Sequence, residues 1–161
     1  MKYPITPAVR WLREKKIEFV PHVYDYVEHG GTRHSAESLG VSEHAVVKTL
    51  VMETESGKPL IVLMHGDREV STKNLARKVG VKSVQPCSPD GATKHTGYMV
   101  GGTSPFGTRS VLPVYAERTI FEIPKILING GKRGFLVEIE PSALRQLSQL
   151  EEVQVAIGSD E

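Results

Sequence analysis

Two glycine clusters flanked by small hydroxyls, an amide and cations are where this chain is best equipped for chemistry. The first is Thr96-Gly97-Tyr98-Met99-Val100-Gly101-Gly102-Thr103-Ser104-Pro105-Phe106-Gly107, and the second is Asn129-Gly130-Gly131-Lys132-Arg133-Gly134. Glycine costs about 0.5–1 kcal/mol against alanine inside a regular element. Such clusters therefore signal either elaborate turns or bare backbone brought close to a ligand, and free N–H groups suit an anion or a carbonyl oxygen. Lys94, Arg109, Lys132 and Arg133 stand beside the clusters and supply local positive charge. The third feature is Lys48, in the otherwise apolar run Ala45-Val46-Val47-Lys48-Thr49-Leu50-Val51. In a strand, Val46, Lys48 and Leu50 share one face and Val47, Thr49 and Val51 the other. Both faces are otherwise apolar, so the ammonium should enter a partly enclosed space. An unpaired buried charge is costly, which calls for an acceptor: a protein carboxylate, a ligand phosphate or a carbonyl would each serve.

Other chemistries fit poorly. Gly102 and Gly107 have the spacing of the outer glycines of a phosphate loop, but Thr108 stands where lysine is needed and Ser110 to Val114 reads as extended. No βαβ unit surrounds the glycines, so a dinucleotide fingerprint fails too. His22, His29, His34, His44, His65 and His95 are scattered without metal-ligand spacing, and no metal is expected. His22, on an expected strand near Tyr24, is the one histidine worth watching, and a structural role is its favoured reading. There is no Gly-x-Ser-x-Gly elbow, and Ser104 reads as a loop-shaping hydroxyl. Cys87 is the only cysteine, which rules out an internal disulfide; it reads as a half-buried, inert thiol.

The elements that must hold these residues follow from caps, periodicity and turn signals. Thr6-Pro7 starts a helix with Ala8, Val9, Leu12 and Ile17 on its apolar stripe. Phe19 to Tyr26 alternates as a strand, and Pro21 places it at an edge. Ser35 to Leu39 is a short helix stopped by Gly40. Val46 to Met52 and Leu60 to Met64 form a hairpin across Ser56-Gly57-Lys58-Pro59. Ser71 caps a helix through Lys78, Val81 to Cys87 is a strand, and Ser88-Pro89 opens a helix that Gly97 closes. Val111 to Tyr115 is extended. Ile126 to Ile128 and Phe135 to Ile139 flank Asn129-Gly130, a hairpin signal. Pro141 starts a last helix to about Leu150, and Val153 to Ile157 is a final strand. Strands outnumber helices and the hairpins imply antiparallel pairing, so the expected fold is α+β: one domain over residues 1–161, with a central, mostly antiparallel sheet and helices around it.

With 161 residues the chain can bury a real core, and a net charge of +1 gives no broad nucleic-acid footprint. A protein that grips only one end of a nucleic acid needs none. Met1 to Lys16 carries Arg10, Arg13, Lys15 and Lys16 without an apolar run. Neither a signal peptide nor a membrane span is expected, and the expected location is the cytoplasm. No long apolar surface stripe calls for a second copy, so a monomer is expected.

Taken in order, Thr6-Pro7-Ala8-Val9 with His22 and Tyr24, Leu39-Gly40, Val47-Lys48-Thr49-Leu50, Thr96 to Gly107, Leu112-Pro113 and Gly130 to Gly134 resemble the YbaK/EbsC family of aminoacyl-tRNA deacylases. That family is related to the editing domain inserted in bacterial prolyl-tRNA synthetases. The resemblance runs almost end to end, and it implies an α+β fold around a curved, mixed, mostly antiparallel sheet surrounded by helices. It implies hydrolysis, without metal or other cofactor, of an aminoacyl ester on the 3′-terminal adenosine of mischarged tRNA, chiefly the tRNA for proline. A ternary complex with prolyl-tRNA synthetase is a partner arrangement it allows. By the same resemblance, Lys48 would hold the terminal adenosine or its phosphate and orient the ester. Gly101 and Gly102 would offer backbone groups to the aminoacyl carbonyl and amine, with Thr103 and Ser104 continuing that substrate-side loop. Tyr24 and Thr49 would line the pocket, and Asn129, Gly130 and Gly131 would form its far wall. The substrate would supply part of the chemistry, through a ribose hydroxyl that steers water or a substrate thiol. Three positions depart from the cysteine-specific pattern: Asn129 in place of serine, Leu136 in place of an acidic residue, and Gly30-Gly31 in place of an aromatic. Cysteine specificity does not follow, and alanine, serine, threonine and 2-aminobutyrate are open. The other class the residues allow is a non-catalytic module of this fold that binds a tRNA end or a nucleotide.

Overall fold

The structure is a computed structural model describing residues 2–158. The Thr6 hydroxyl accepts the Val9 N–H and caps α1 (Pro7–Glu14), with Pro7 in the first turn where no donor is needed. Ala8, Val9 and Leu12 bury, and Ile17 packs on the same core. β1 (Val20–Val23) forms an edge, where Pro21 is tolerated. α2 (Gly31–Leu39) ends at Gly40 with φ 67°. β2 (Val46–Thr54) and β3 (Pro59–His65) form the expected hairpin, followed by the two-residue β4 (Glu69–Val70). Ser71 caps α3 (Thr72–Val79), β5 (Val84–Pro86) follows, and Ser88 caps α4 (Pro89–Thr96), which Gly97 ends at φ 82°. The remaining strands are β6 (Val114–Glu117), β7 (Ile126–Lys132), β8 (Phe135–Ile139), β9 (Leu150–Val153) and β10 (Ala156–Ile157).

The main sheet runs β1-β8-β7-β2-β3-β6-β9, with β5 also paired to β2; β10 and β4 form a separate ribbon. Pairs β1–β8, β7–β8, β2–β3 and β2–β5 are antiparallel, whereas β2–β7, β3–β6 and β6–β9 are parallel. This is the α+β, mostly antiparallel, mixed sheet that the sequence predicts. One face carries the large core: Val47, Ile61, Leu63, Ile126, Ile128, Phe135, Val137 and Ile139 pack with Val9 and Leu12 of α1. The opposite face carries two smaller cores. Met52, Leu60, Val62 and Met64 pack with Leu75 and Ala76 of α3, and Val46, Leu127 and Leu136 pack with Ala36 of α2.

Several expectations are corrected. β1 stops at Val23 and β5 spans only Val84–Pro86, because the ladder partners extend no further. The hairpin turn of β7 and β8 is Arg133-Gly134, with Gly134 at φ 78°; Asn129-Gly130 lies inside β7, where a register shift between Asn129 and Lys132 marks a bulge. The Asn129 side chain accepts the Gly131 and Lys132 N–H groups, so turn chemistry expected to close a hairpin serves the bulge instead. The helix expected from Pro141 to Leu150 is a short 3-10 segment, Pro141–Gln146. Leu150 instead begins β9, pairing with Val114, and the final expected strand divides between β9 and β10.

Candidate active site

β2 changes partner along its length. On one edge it pairs with β7 at Val46 and Val47 and with β5 at Met52 to Thr54, so among the described residues Lys48 to Val51 have no strand in register on that side. The Val51 carbonyl is met there by the Cys87 N–H at 3.0 Å. By strand alternation, Thr49 turns its own N–H and C=O into the same opening. A seam between two strands is a natural ligand entrance, because backbone groups are presented without a ladder partner.

Lys48 sits at this seam. Its side chain projects on the two-core face, between Val46 of one core and Leu50, which packs on the other. It is 19% exposed and lies 3.6 Å from Glu69 Oε1, a carboxylate that is itself 79% exposed. A pair this solvated holds weakly, at about 0–1 kcal/mol. The acceptor that the sequence calls for is thus partly supplied by β4, in a form a ligand anion can replace. One step beyond the last β2–β7 pair, Asn129 stands beside Lys48 on the same face. Its cross-strand partner is Leu136, whose partner on β1 is His22. The row His22, Leu136, Asn129, Lys48 therefore crosses four strands. His22 Nε2 bonds Glu138 Oε1 at 2.8 Å, which gives it a structural partner. Leu136 is buried with Leu127 and Ala36, and Tyr24 packs on that group. Burial pushes the Tyr24 phenol up, with a smaller opposing effect from the Ser35 hydroxyl, so it stays a proton donor at neutral pH.

The glycine loop closes over the end of the row. Asn129 Nδ2 donates to the Gly101 carbonyl at 3.1 Å, while Asn129 Oδ1 accepts from the Gly131 N–H at 2.7 Å and the Lys132 N–H at 3.1 Å. Gly101 has φ 91°, and a Cβ there would come 2.6 Å from Tyr26 Oη. The Gly102 N–H is spent on the Met99 carbonyl at 2.8 Å, and Gly102 packs on the Lys132–Arg133 backbone. Thr103 Oγ1 reaches the Met99 carbonyl at 3.4 Å, and the fully buried Ser104 hydroxyl accepts the Phe106 N–H at 3.1 Å. These two hydroxyls shape the loop. From beneath, α1 props it: Trp11 stacks on Phe106 with centroids 5.0 Å apart, Gly107 lies against the Pro7 carbonyl, and the Thr6 hydroxyl donates to the Gly130 carbonyl. A Cβ on Gly130 would meet the Phe135 ring at 2.4 Å, and one on Gly131 the Tyr98 ring at 2.8 Å, so both glycines are required by packing.

Among the sequence-selected residues, the structure gathers Lys48, Asn129, Gly101 and Tyr24 on one face. Gly102, Thr103, Ser104, Gly130 and Gly131 lie in the supporting wall. Thr49 turns away: its side chain is on the large-core face, and among the described residues its buried Oγ1 has no hydrogen-bond partner. Sequence reasoning missed Glu69, which carries no local signal, and Tyr26, which shares the parity of Tyr24 and could have been found by alternation. Burial, with Glu53 adding to it, raises the Cys87 thiol, as suits an inert role. A cavity of about 270 Å³ opens beside Trp11, Pro105 and Leu112, and another of about 440 Å³ beside His44, His65 and Glu117; neither includes Lys48. No helix among the described residues is long and apolar enough to cross a membrane.

The sequence signature described as the aminoacyl-tRNA editing domain matches residues 31–147. The chain is 30% identical over 144 residues to a candidate Cys-tRNA(Pro)/Cys-tRNA(Cys) deacylase, EbsC, of Enterococcus faecalis, covering 89% of this chain and 88% of that one. It is also 35% identical over 79 residues to proline–tRNA ligase of Nitratidesulfovibrio vulgaris, covering 49% of this chain and only 14% of the ligase. Its fold matches the crystal structure of a candidate trans-editing enzyme for prolyl-tRNA synthetase with a TM-score of 0.80 at 22% identity, over 96% of this chain and 100% of that one.

Proposed function

Because this chain belongs to the aminoacyl-tRNA editing domain family, we propose that it is a free-standing hydrolase of mischarged aminoacyl-tRNA, acting in the cytoplasm on the acceptor end of the tRNA for proline. The observation that carries this reading is the seam in β2, with Lys48 on its floor and the Gly101 loop over its mouth. Water adds to the ester carbonyl, the bond to the ribose oxygen breaks, the ribose hydroxyl recovers a proton, and a free amino acid leaves. Lys48 exchanges its loose contact with Glu69 for the terminal nucleotide and fixes the ester. The Gly101 N–H faces the carbonyl oxygen as negative charge develops there. With Ser104 sealed inside the loop and the Cys87 thiol raised by burial, positioning and electrostatics carry the step. One well-placed donor is worth about 10²–10³ in rate.

The amino acid side chain is read by Tyr24, Asn129 and Leu136. An apolar Leu136 in place of an acid, beside an amide, favours a small uncharged side chain. Such a pocket separates neighbours by about 1–3 kcal/mol per methylene. The test is a deacylation panel with the enzyme far below substrate: tRNA for proline charged with Cys, Ala, Ser, Thr, 2-aminobutyrate or cognate Pro. Multiple turnovers on one or two noncognate esters with Pro spared, and a loss of about 100-fold in a folded Lys48→Ala protein, are the expected results. Stoichiometric binding without turnover would replace hydrolase by binding module, and a folded Lys48→Ala protein with full activity would remove Lys48 from the mechanism.

A further inference from the structure

Outside the seam, the loop and the β7–β8 turn build a feature that the hydrolysis does not use. The Arg133 guanidinium lies over the Tyr26 ring, 5.2 Å from its centroid, and its Nε donates to the Val100 carbonyl at 2.9 Å. Tyr26 in turn rests against Gly101, whose Cβ, were there one, would come 2.6 Å from the phenol oxygen and 3.3 Å from Arg133 Nε. The Tyr24 N–H donates to the Gly134 carbonyl at 3.0 Å, which fixes the Tyr24–Tyr26 segment against the turn. Two constraints thus hold a planar cation over an aromatic ring. Arg133 and its neighbour Lys132 are exposed, and among the described residues neither has a carboxylate partner. Arginine held by its Nε and by stacking keeps an open outer face and its terminal N–H donors for a base or a phosphate.

The platform lies on the way out of the site. Lys48 and Asn129 both come one step after the last β2–β7 pair and share a face, Asn129 bonds Gly101, and Gly101 lies against Tyr26 and Arg133. A terminal nucleotide seated at Lys48 would have its preceding phosphate and base within reach of Gly101. We infer that the Arg133–Tyr26 stack is a binding subsite for the unpaired nucleotides that precede the terminal adenosine, one base stacking on the guanidinium and one phosphate meeting Arg133 or Lys132. This rests on the reading of aminoacyl-tRNA as substrate. The pairing of fixed cation and aromatic ring, with no acidic neighbour in contact among the described residues, is the chemistry by which proteins hold single strands without reading sequence.

The experiment compares two substrates carrying the same amino acid: an aminoacylated acceptor-stem minihelix and aminoacyl-adenosine, which lacks the preceding nucleotides. With Arg133→Ala, kcat/KM on the minihelix should fall about tenfold relative to that on aminoacyl-adenosine, the loss appearing in KM. Arg133→Lys, which keeps charge without the plane, should stay closer to Arg133→Ala than to wild type. Equal effects on the two substrates, or full recovery by Arg133→Lys, would overturn the stacking subsite. If wild-type protein hydrolyses neither substrate, the hydrolase reading fails but the subsite is still decided. Binding of a fluorescent single-stranded RNA trinucleotide, cytidine-cytidine-adenosine, should then weaken about tenfold in Arg133→Ala, and equal binding would overturn it.

Discussion

Replacing Asn129 by alanine tests how far the site depends on the clasp between the β7 bulge and the glycine loop. The side chain makes three hydrogen bonds: one to the Gly101 carbonyl, and two from the Gly131 and Lys132 N–H groups. Each is worth about 1 kcal/mol net, and water recovers part of that where the groups are exposed, so the expected loss is about 2 kcal/mol. For a chain of this size that is a fall in Tm of about 4–8 °C. The loss in activity should be larger in proportion if, as proposed, the Gly101 N–H faces the ester, because freeing Gly101 then displaces that donor, and a displacement of about 1 Å can cost about 100-fold. Asn129→Asp separates the two effects. Its carboxylate still accepts both N–H groups but now sets an acceptor against the Gly101 carbonyl. It should melt closer to wild type than Asn129→Ala while losing as much activity on an aminoacylated minihelix. Thermal melts and kcat/KM of the three proteins decide the matter. An Asn129→Asp protein with wild-type kcat/KM, or an Asn129→Ala protein melting within about 1 °C of wild type, would refute the clasp.

Two other outcomes are expected from the structure. Thr49→Val removes a buried hydroxyl that has no partner and should raise stability by about 1 kcal/mol, read as a higher Tm; a lower Tm would mean that the hydroxyl is satisfied. His65 is held neutral by burial, against a smaller opposing effect of its bond to the His44 carbonyl, so its folded pKa lies below the ordinary 6.5. The unfolded chain then binds the proton more readily. Stability should be level above about pH 6.5 and fall as pH drops from there through the folded value. His65→Gln should flatten that slope in melts from pH 7 to 5, and an unchanged slope would assign it to other groups.

Much of this was legible in the chain because caps and breakers are local. Thr6, Ser71 and Ser88 cap the helices expected of them, and Gly40, Gly80 and Gly97 end α2, α3 and α4 in the left-handed region. Lys48 could be singled out because a cation in an apolar strand is costly wherever the sheet lies. The seam itself was not legible. It exists because β2 trades β7 for β5, two later strands far apart from each other in sequence, and nothing local encodes where one pairing stops. Asn129-Gly130 misled for a related reason. The same amide that favours a two-residue turn also satisfies a bulge, and the choice is made by Phe135 and Tyr98 packing on the glycines. The end of the chain misread as helix because parallel pairing of Leu150 with Val114 overrode local preference.

The prop beneath the glycine loop bears on how portable this unit is. The family signature starts at residue 31, yet Thr6, Pro7 and Trp11 hold Gly130, Gly107 and Phe106 from below. The stretch by which the domain is recognised is therefore not the whole of what keeps its site in shape. Grafted into another protein from residue 31 onward, the domain would carry its signature intact and leave its keystone behind. A host that accepts it must supply a helix of its own in the place of α1.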